Sequence, residues 1–174
     1  MIFNLLTNIL IGRVVGSVLP NPVGNLSKSF VDNVIRDNVQ PVKGSVVYCD
    51  LALGYAEHSG IYVGDDSIAH LDGSGRIEIV SPTAFLNRLN GWNSAISIYV
   101  SCRGSEAVGA INAAERALRM AGSSRSYNVV LDNCHQFSSG CITGEFDNSD
   151  NFLWMLKHTA EKHIYSDTWR VWQR

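Results

Sequence analysis

Residues 58–80 read HSGIYVGDDSIAHLDGSGRIEIV, and this stretch decides the fold. The run HSGIYVG is rich in β-branched and aromatic residues and predicts a strand. Gly64-Asp65-Asp66 then makes a tight turn into a second strand, SIAHLDG. Gly73-Ser74-Gly75 makes another into RIEIV, where Ile77 and Val80 flank charged Glu78. Three short strands joined by tight turns are an antiparallel meander. Upstream, Lys43-Gly44 turns the chain into SVVYCDLAL (45–53), a further core strand. Downstream, Ser81-Pro82-Thr83 opens a short helical stretch, AFLNRLN, stopped at Gly91, and SAISIYVSC (94–102) returns as a strand.

From Ser105 the period changes. Val108, Ile111, Ala114, Ala117, Leu118 and Met120 recur at helical spacing with Glu115 and Arg116 outward, predicting a helix over 105–121 closed by Gly122. Tyr127–Val130 reads as extended, and Asp132-Asn133 supplies N-cap chemistry for a helix beginning at Cys134. A last helix is expected over NFLWMLKHTAEKHIY (151–165), followed by the Trp-rich tail TWRVWQR. The fold class is therefore α+β, an antiparallel sheet from about Ser45 to Cys102 packed against the 105–121 helix and the Cys134 helix.

Ahead of this block, MIFNLLTNILIGRVVGSVLP (1–20) is strongly apolar but has no basic residue before its hydrophobic run, as a secretory signal has. Asn4, Thr7, Asn8 and Arg13 break it below the length of about 20 apolar residues that a membrane span wants. It reads either as a helix docked on the core or as a shallow membrane or partner attachment. A turn-rich break at Asn21-Pro22, Gly24 and Asn25 follows, then a short helix capped at Ser27 or Ser29 and running to Ile35, ended by Pro41. The expected organisation is an apolar helix and linker over 1–42, a catalytic block over 43–145, and a C-terminal helix and tail over 146–174 packed on it.

With 174 residues, 45% of them apolar, the chain is long enough for one core. Its 14 basic and 16 acidic residues give a formal charge of −2 without long runs, which argues against a nucleic-acid partner. Cys49, Cys102, Cys134 and Cys141 form no CxxC pair, so neither a structural zinc site nor a disulfide framework is indicated. A reducing, cytoplasmic compartment is expected, with peripheral membrane contact through residues 1–20 as the open alternative.

A reactive cysteine needs a thiolate, which a helix N-terminus and a nearby imidazolium favour. Cys134 is placed for the first, whereas Cys49 and Cys102 sit in apolar strand-like runs where a thiol is a small inert hydrophobe. Cys141 lies two helical turns beyond Cys134, about 10 Å along the axis and too far for a disulfide. His58 and His70 lie on two strands joined by one turn, and their separation of twelve keeps them on one face if no bulge intervenes. His158 and His163 fall in a polar helical segment and read as solvated surface. Any single histidine is more often structural than catalytic. A histidine pair with a capped cysteine shifts that balance.

The segments His58-Ser-Gly-Ile-Tyr-Val-Gly64, Ile68-Ala-His70-Leu71 and Asn133-Cys134-His135-Gln136-Phe137 together resemble the lecithin:retinol acyltransferase-like family and its small phospholipase and acyltransferase relatives. The likeness covers roughly Lys43 to Gly144. It implies a circularly permuted papain-like fold of the NlpC type, with His58 as general base, His70 as the group that orients it, and Cys134 as nucleophile. His135 and Gln136 stand where the family has Glu then His, and Gly44-Ser45 where it has Gly-Asp. His135 becomes a rival base, but neighbouring side chains on a helix diverge. The implied activity is acyl hydrolysis or acyl transfer through a Cys134 thioester on a lipid ester, with no cofactor or metal. The backbone N–H of Cys134 is the expected oxyanion donor. Two readings stand beside it: a thiol peptidase or amidase on peptide or cell-wall substrates, and a catalytically silent binding domain.

Overall fold

The computed structural model describes residues 38–51, 56–87, 97–125 and 133–174, all within Ile35–Arg174. The expected apolar segment 1–20, the short helix up to Ile35, the extended piece at 127–130 and the Asp132 half of the cap lie outside them.

Among the described residues seven strands form one antiparallel sheet: β1 (Val46–Leu51), β2 (Ala56–Gly64), β3 (Ser67–Leu71), β4 (Ile77–Val80), β5 (Ile98–Arg103), β6 (Glu106–Ala107) and β7 (Thr168–Val171). The order is β4-β3-β2-β1-β5-β6, with β7 also on β5. The helices among the described residues are α1 (Pro82–Leu86), α2 (Ile111–Met120), α3 (Cys134–Thr143) and α4 (Leu153–Ile164). The fold is thus α+β, and the meander of β2, β3 and β4 stands as its sequence implies. None of these helices is long and apolar enough to cross a membrane.

Alternation along the strands divides the core in two. Val46, Tyr48, Ile61, Val63, Ala69 and Leu71 face α2, α3 and α4, while Val47, Cys49, Ile68 and Val100 face α1 and Trp172. Helix α3 lies among the sheet, α2 and α4, and every residue from Cys134 to Ile142 is buried. Arg116 of α2 closes its C-terminus, donating to the carbonyls of Cys141 at 2.8 Å and Ile142 at 3.0 Å, where a cation suits the helix dipole.

Three elements differ from the sequence reading. The 105–121 helix begins only at Ile111, because Glu106–Ala107 pairs with β5 and Val108 N–H donates to Ser101 at 2.9 Å. Gly109 then passes so close to Gly44 that a Cβ there would lie 2.3 Å from the Ser45 nitrogen. Helix α1 ends at Leu86 with Asn87 as its C-cap, short of Gly91. The Trp-rich tail is a strand, Tyr99 to Cys102 pairing with Val171 to Thr168, and it buries Trp172.

Candidate active site

Strands β2 and β3 bring the two histidines together. Asp65 and Asp66, both with positive φ, form a two-residue turn between Gly64 and Ser67, the backbone hand that suits the twist of a hairpin. The sequence reading assumed no bulge, yet the register shifts between Tyr62 and Gly64: with Gly64 opposite Ser67 residues twelve apart would point to opposite faces, and the shift to Ile61 opposite Ala69 is what puts His58 and His70 on one. His58 Nε2 lies 3.0 Å from His70 Nδ1, with the rings edge to face at 4.9 Å between centroids. Gly60 makes room for that contact: a Cβ there would stand 2.7 Å from Ile68 Cγ2 and 3.2 Å from His70 Cβ. Phe85 of α1 packs on both rings, and both histidines are buried.

Cys134 is the first residue of α3. Asn133 caps that helix, its Oδ1 accepting from the N–H groups of His135 at 2.9 Å and Gln136 at 3.3 Å. Gln136 Oε1 accepts in return from Asn133 N–H at 3.0 Å, completing a capping box. The cap is also tied to the segment leading into α4, since Asn133 Nδ2 donates to the Asn151 carbonyl at 2.8 Å. Gln136 was readable only as a departure from a family motif, yet an N-cap residue followed three places on by Gln is itself a cap signal.

The cysteine meets β2 at Ser59, the residue after His58. Ser59 Oγ donates to the Cys134 carbonyl at 3.0 Å, and also lies 3.0 Å from Ser138 Oγ and 3.0 Å from His135 Nδ1. Ser138 Oγ donates to the same carbonyl at 2.9 Å. Burial raises the Cys134 thiol above its ordinary pKa, opposed by hydrogen bonding from the Ser59 backbone and hydroxyl and from the backbone at Cys134 and His135. The expectation that the helix terminus would make this a ready thiolate therefore needs correction: at 4% exposure, desolvation of the charged form outweighs the N-terminal donors. His135 is buried without a charged partner, and its pKa is lowered to about 4.

The three residues singled out by sequence thus occupy two linked places. His58 and His70 are in direct contact on the α1 face of the sheet. Cys134 reaches the adjoining residue of β2 from the other face, and among the described residues its sulfur makes no direct hydrogen bond to either ring. The rival, His135, has its Nδ1 engaged by Ser59. The other cysteines are free thiols with no exposure, and burial pushes the Cys102 and Cys141 thiols up. His158 is solvated on α4, 3.7 Å from Glu161. Among the described residues no group of three or more His, Cys, Asp and Glu side chains is disposed to hold a metal ion.

The family model described as lecithin retinol acyltransferase matches residues 39–147, a span that contains His58, Ser59, His70, Cys134, His135 and Ser138. No curated protein matches the chain.

Proposed function

The chain belongs to the lecithin retinol acyltransferase family, whose model spans more than half of it, and is accordingly an enzyme of acyltransferase or hydrolase type. We propose that it moves acyl groups from a lipid ester through a thioester on Cys134, with His58 as the base and His70 as the group that holds that base in register. The observation that carries this reading is the 3.0 Å contact of His58 Nε2 with His70 Nδ1, one residue along β2 from the cysteine's anchor at Ser59.

With His58 Nε2–H donating to His70 Nδ1, the lone pair of His58 lies on Nδ1, and His70 stabilises the imidazolium that forms. His58 Nδ1 takes the thiol proton as Cys134 Sγ bonds to the acyl carbonyl carbon. The ester C–O bond breaks and the departing alkoxide takes that proton from His58, leaving the acyl group on sulfur. In the second half an alcohol, an amine or water gives its proton to His58 and attacks the thioester carbon. The C–S bond breaks, and the thiolate recovers the proton. The raised thiol pKa fits a nucleophile that is neutral at rest and deprotonated only in the step itself. The Ser59 N–H that hydrogen-bonds the sulfur directly follows His58, so thiol and base meet at one dipeptide of β2, and such contacts are often longer in unliganded enzymes than in the loaded complex.

Intact-protein mass spectrometry after incubation with a phosphatidylcholine and with a soluble activated ester tests this. The expected result is a single acyl mass that peptide mapping puts on Cys134 and that hydroxylamine removes. Turnover of either ester by Cys134→Ala at the wild-type rate would overturn it.

A further inference from the structure

The acyl-transfer reading leaves unexplained a set of buried polar groups beneath the nucleophile. Ser59 and Ser138 have no exposure and His135 only 5%, yet the two hydroxyls meet at the Cys134 carbonyl and the His135 ring meets the Ser59 hydroxyl. Groups so placed cost stability unless each hydrogen bond is made, so such a cluster is retained for what it holds in place. Both hydroxyls donate toward that carbonyl, which has no proton of its own. With the Ser59 hydroxyl donating to that carbonyl, its oxygen is left to accept, and the proton between it and the ring is then the one on His135 Nδ1.

We propose that Ser59, held by His135, is a positioning residue that locks the first turn of α3 onto the strand carrying His58 and keeps a hydroxyl within reach of the Cys134 sulfur. This inference rests on the Cys134 reading above and adds to it the role of two residues outside the proposed triad. A serine directly after the base is well suited to the task. Alternation sends its side chain to the helix face while His58 goes to the other, so one dipeptide of β2 serves both sides of the sheet. His135 supplies the donor that leaves the serine proton free to turn toward carbonyl or sulfur. The ionisable groups around the thiol are then His135 on its own helix and His58 and His70 on β2 and β3.

The test reads the thiol itself. Rates of Cys134 alkylation by iodoacetamide are measured across pH for the wild type, Ser59→Ala, His135→Leu and His135→Asn, with melting temperatures alongside. Asparagine places its amide donor where the histidine Nδ1–H stood. Ser59→Ala and His135→Leu are expected to move the alkylation midpoint up by about one pH unit, the size of one lost hydrogen bond to an ion, and so slow labelling at pH 7 about tenfold. His135→Asn should restore most of the shift. A purely structural role would lower the melting temperature in all three variants and leave the midpoint where it is, and that result overturns the inference. Should Ser59→Ala not fold, the two His135 variants decide the matter, since equal midpoints for leucine and asparagine are equally fatal. Failure of the nucleophile reading looks different: ester turnover by Cys134→Ala discards that reading whatever the midpoints do.

Discussion

His58 and His70 make one hydrogen bond between them, so replacing either should expose a division of labour rather than a shared loss. A base that must both take and return a proton has no substitute in alanine. His58→Ala is expected to abolish thioester formation and turnover to the same extent as Cys134→Ala, since members of one catalytic unit are not additive. In the proposed tautomer His70 Nδ1 accepts a hydrogen bond from its neighbour at 3.0 Å, a task that a glutamine carbonyl can perform. His70→Gln should therefore keep measurable acylation in single-turnover kinetics, with turnover reduced by about tenfold to a hundredfold against about ten-thousandfold for His58→Ala. Collapse in His135→Ala with full turnover in His58→Ala would put the base beside the cysteine instead. Selective labelling belongs to the same scale. Cys134 keeps 4% exposure while Cys49, Cys102 and Cys141 keep none, so iodoacetamide should mark Cys134 first, though more slowly at neutral pH than an exposed thiol, because burial holds its pKa up.

At the scale of elements, the register of β2 on β3 and the cap of α3 do the positioning. Gly60 is the place where the first is vulnerable. A valine there would drive its Cβ into Ile68 and the Ala69 carbonyl, which lie 2.7 Å and 2.8 Å from an ideal Cβ, and force β2 away from β3 at the level of the histidines. Gly60→Val is expected to lose acylation while the protein, if it folds, keeps its helical circular dichroism. The cap fails more gently. Asn133→Ala removes the acceptor for two N–H groups at the start of α3 and the donor to the Asn151 carbonyl. A loss of about 1–2 kcal/mol in chemical denaturation is expected, with lower activity because the nucleophile sits in the frayed turn. Unchanged stability in that variant would mean that packing against α2 and α4 holds α3 without its cap.

For the molecule as a whole, His135 ties stability to acidity. Its folded pKa is lowered to about 4 from an ordinary value near 6.5, so between these limits the unfolded chain binds the extra proton. Stability from this group is fully present above about pH 6.5, falls as the pH drops toward 4, and loses nothing further below that, a change on the order of 3 kcal/mol. Denaturation midpoints measured from pH 7 to pH 4 should fall accordingly, and His135→Asn should flatten the decline. A wild-type curve level over that range would mean that the ring takes up a proton without leaving its site. The C-terminal strand makes a second demand on the whole fold. Ending the chain after Tyr165 removes β7 from β5 and takes away Trp172, whose ring packs on Tyr62 at 5.2 Å, so such a truncation should aggregate rather than fold.

Sequence by itself determined the antiparallel meander, because alternating strands bounded by Gly64-Asp65-Asp66 and Gly73-Ser74-Gly75 are local facts: turn chemistry and period two need no partner to be read. The cap at Asn133 was local in the same sense. The contact of His58 with His70 was not among these, because with Gly64 opposite Ser67 residues twelve apart would fall on opposite faces, and the register shift beside that turn is what brings them to one. What only the tertiary structure decided depends on residues far apart in the chain. The start of α2 was set by Gly44 meeting Gly109, and the tail became a strand because β5 offered an edge some seventy residues away. The Cys134 thiol pKa was set by how deeply α3 is enclosed. Helix-terminal donors are visible in a sequence, whereas desolvation is a property of everything packed around the sulfur. Ser59 and His135 are ordinary residues in the chain, and the bond between them exists only because a helix is laid across the strand that carries the base.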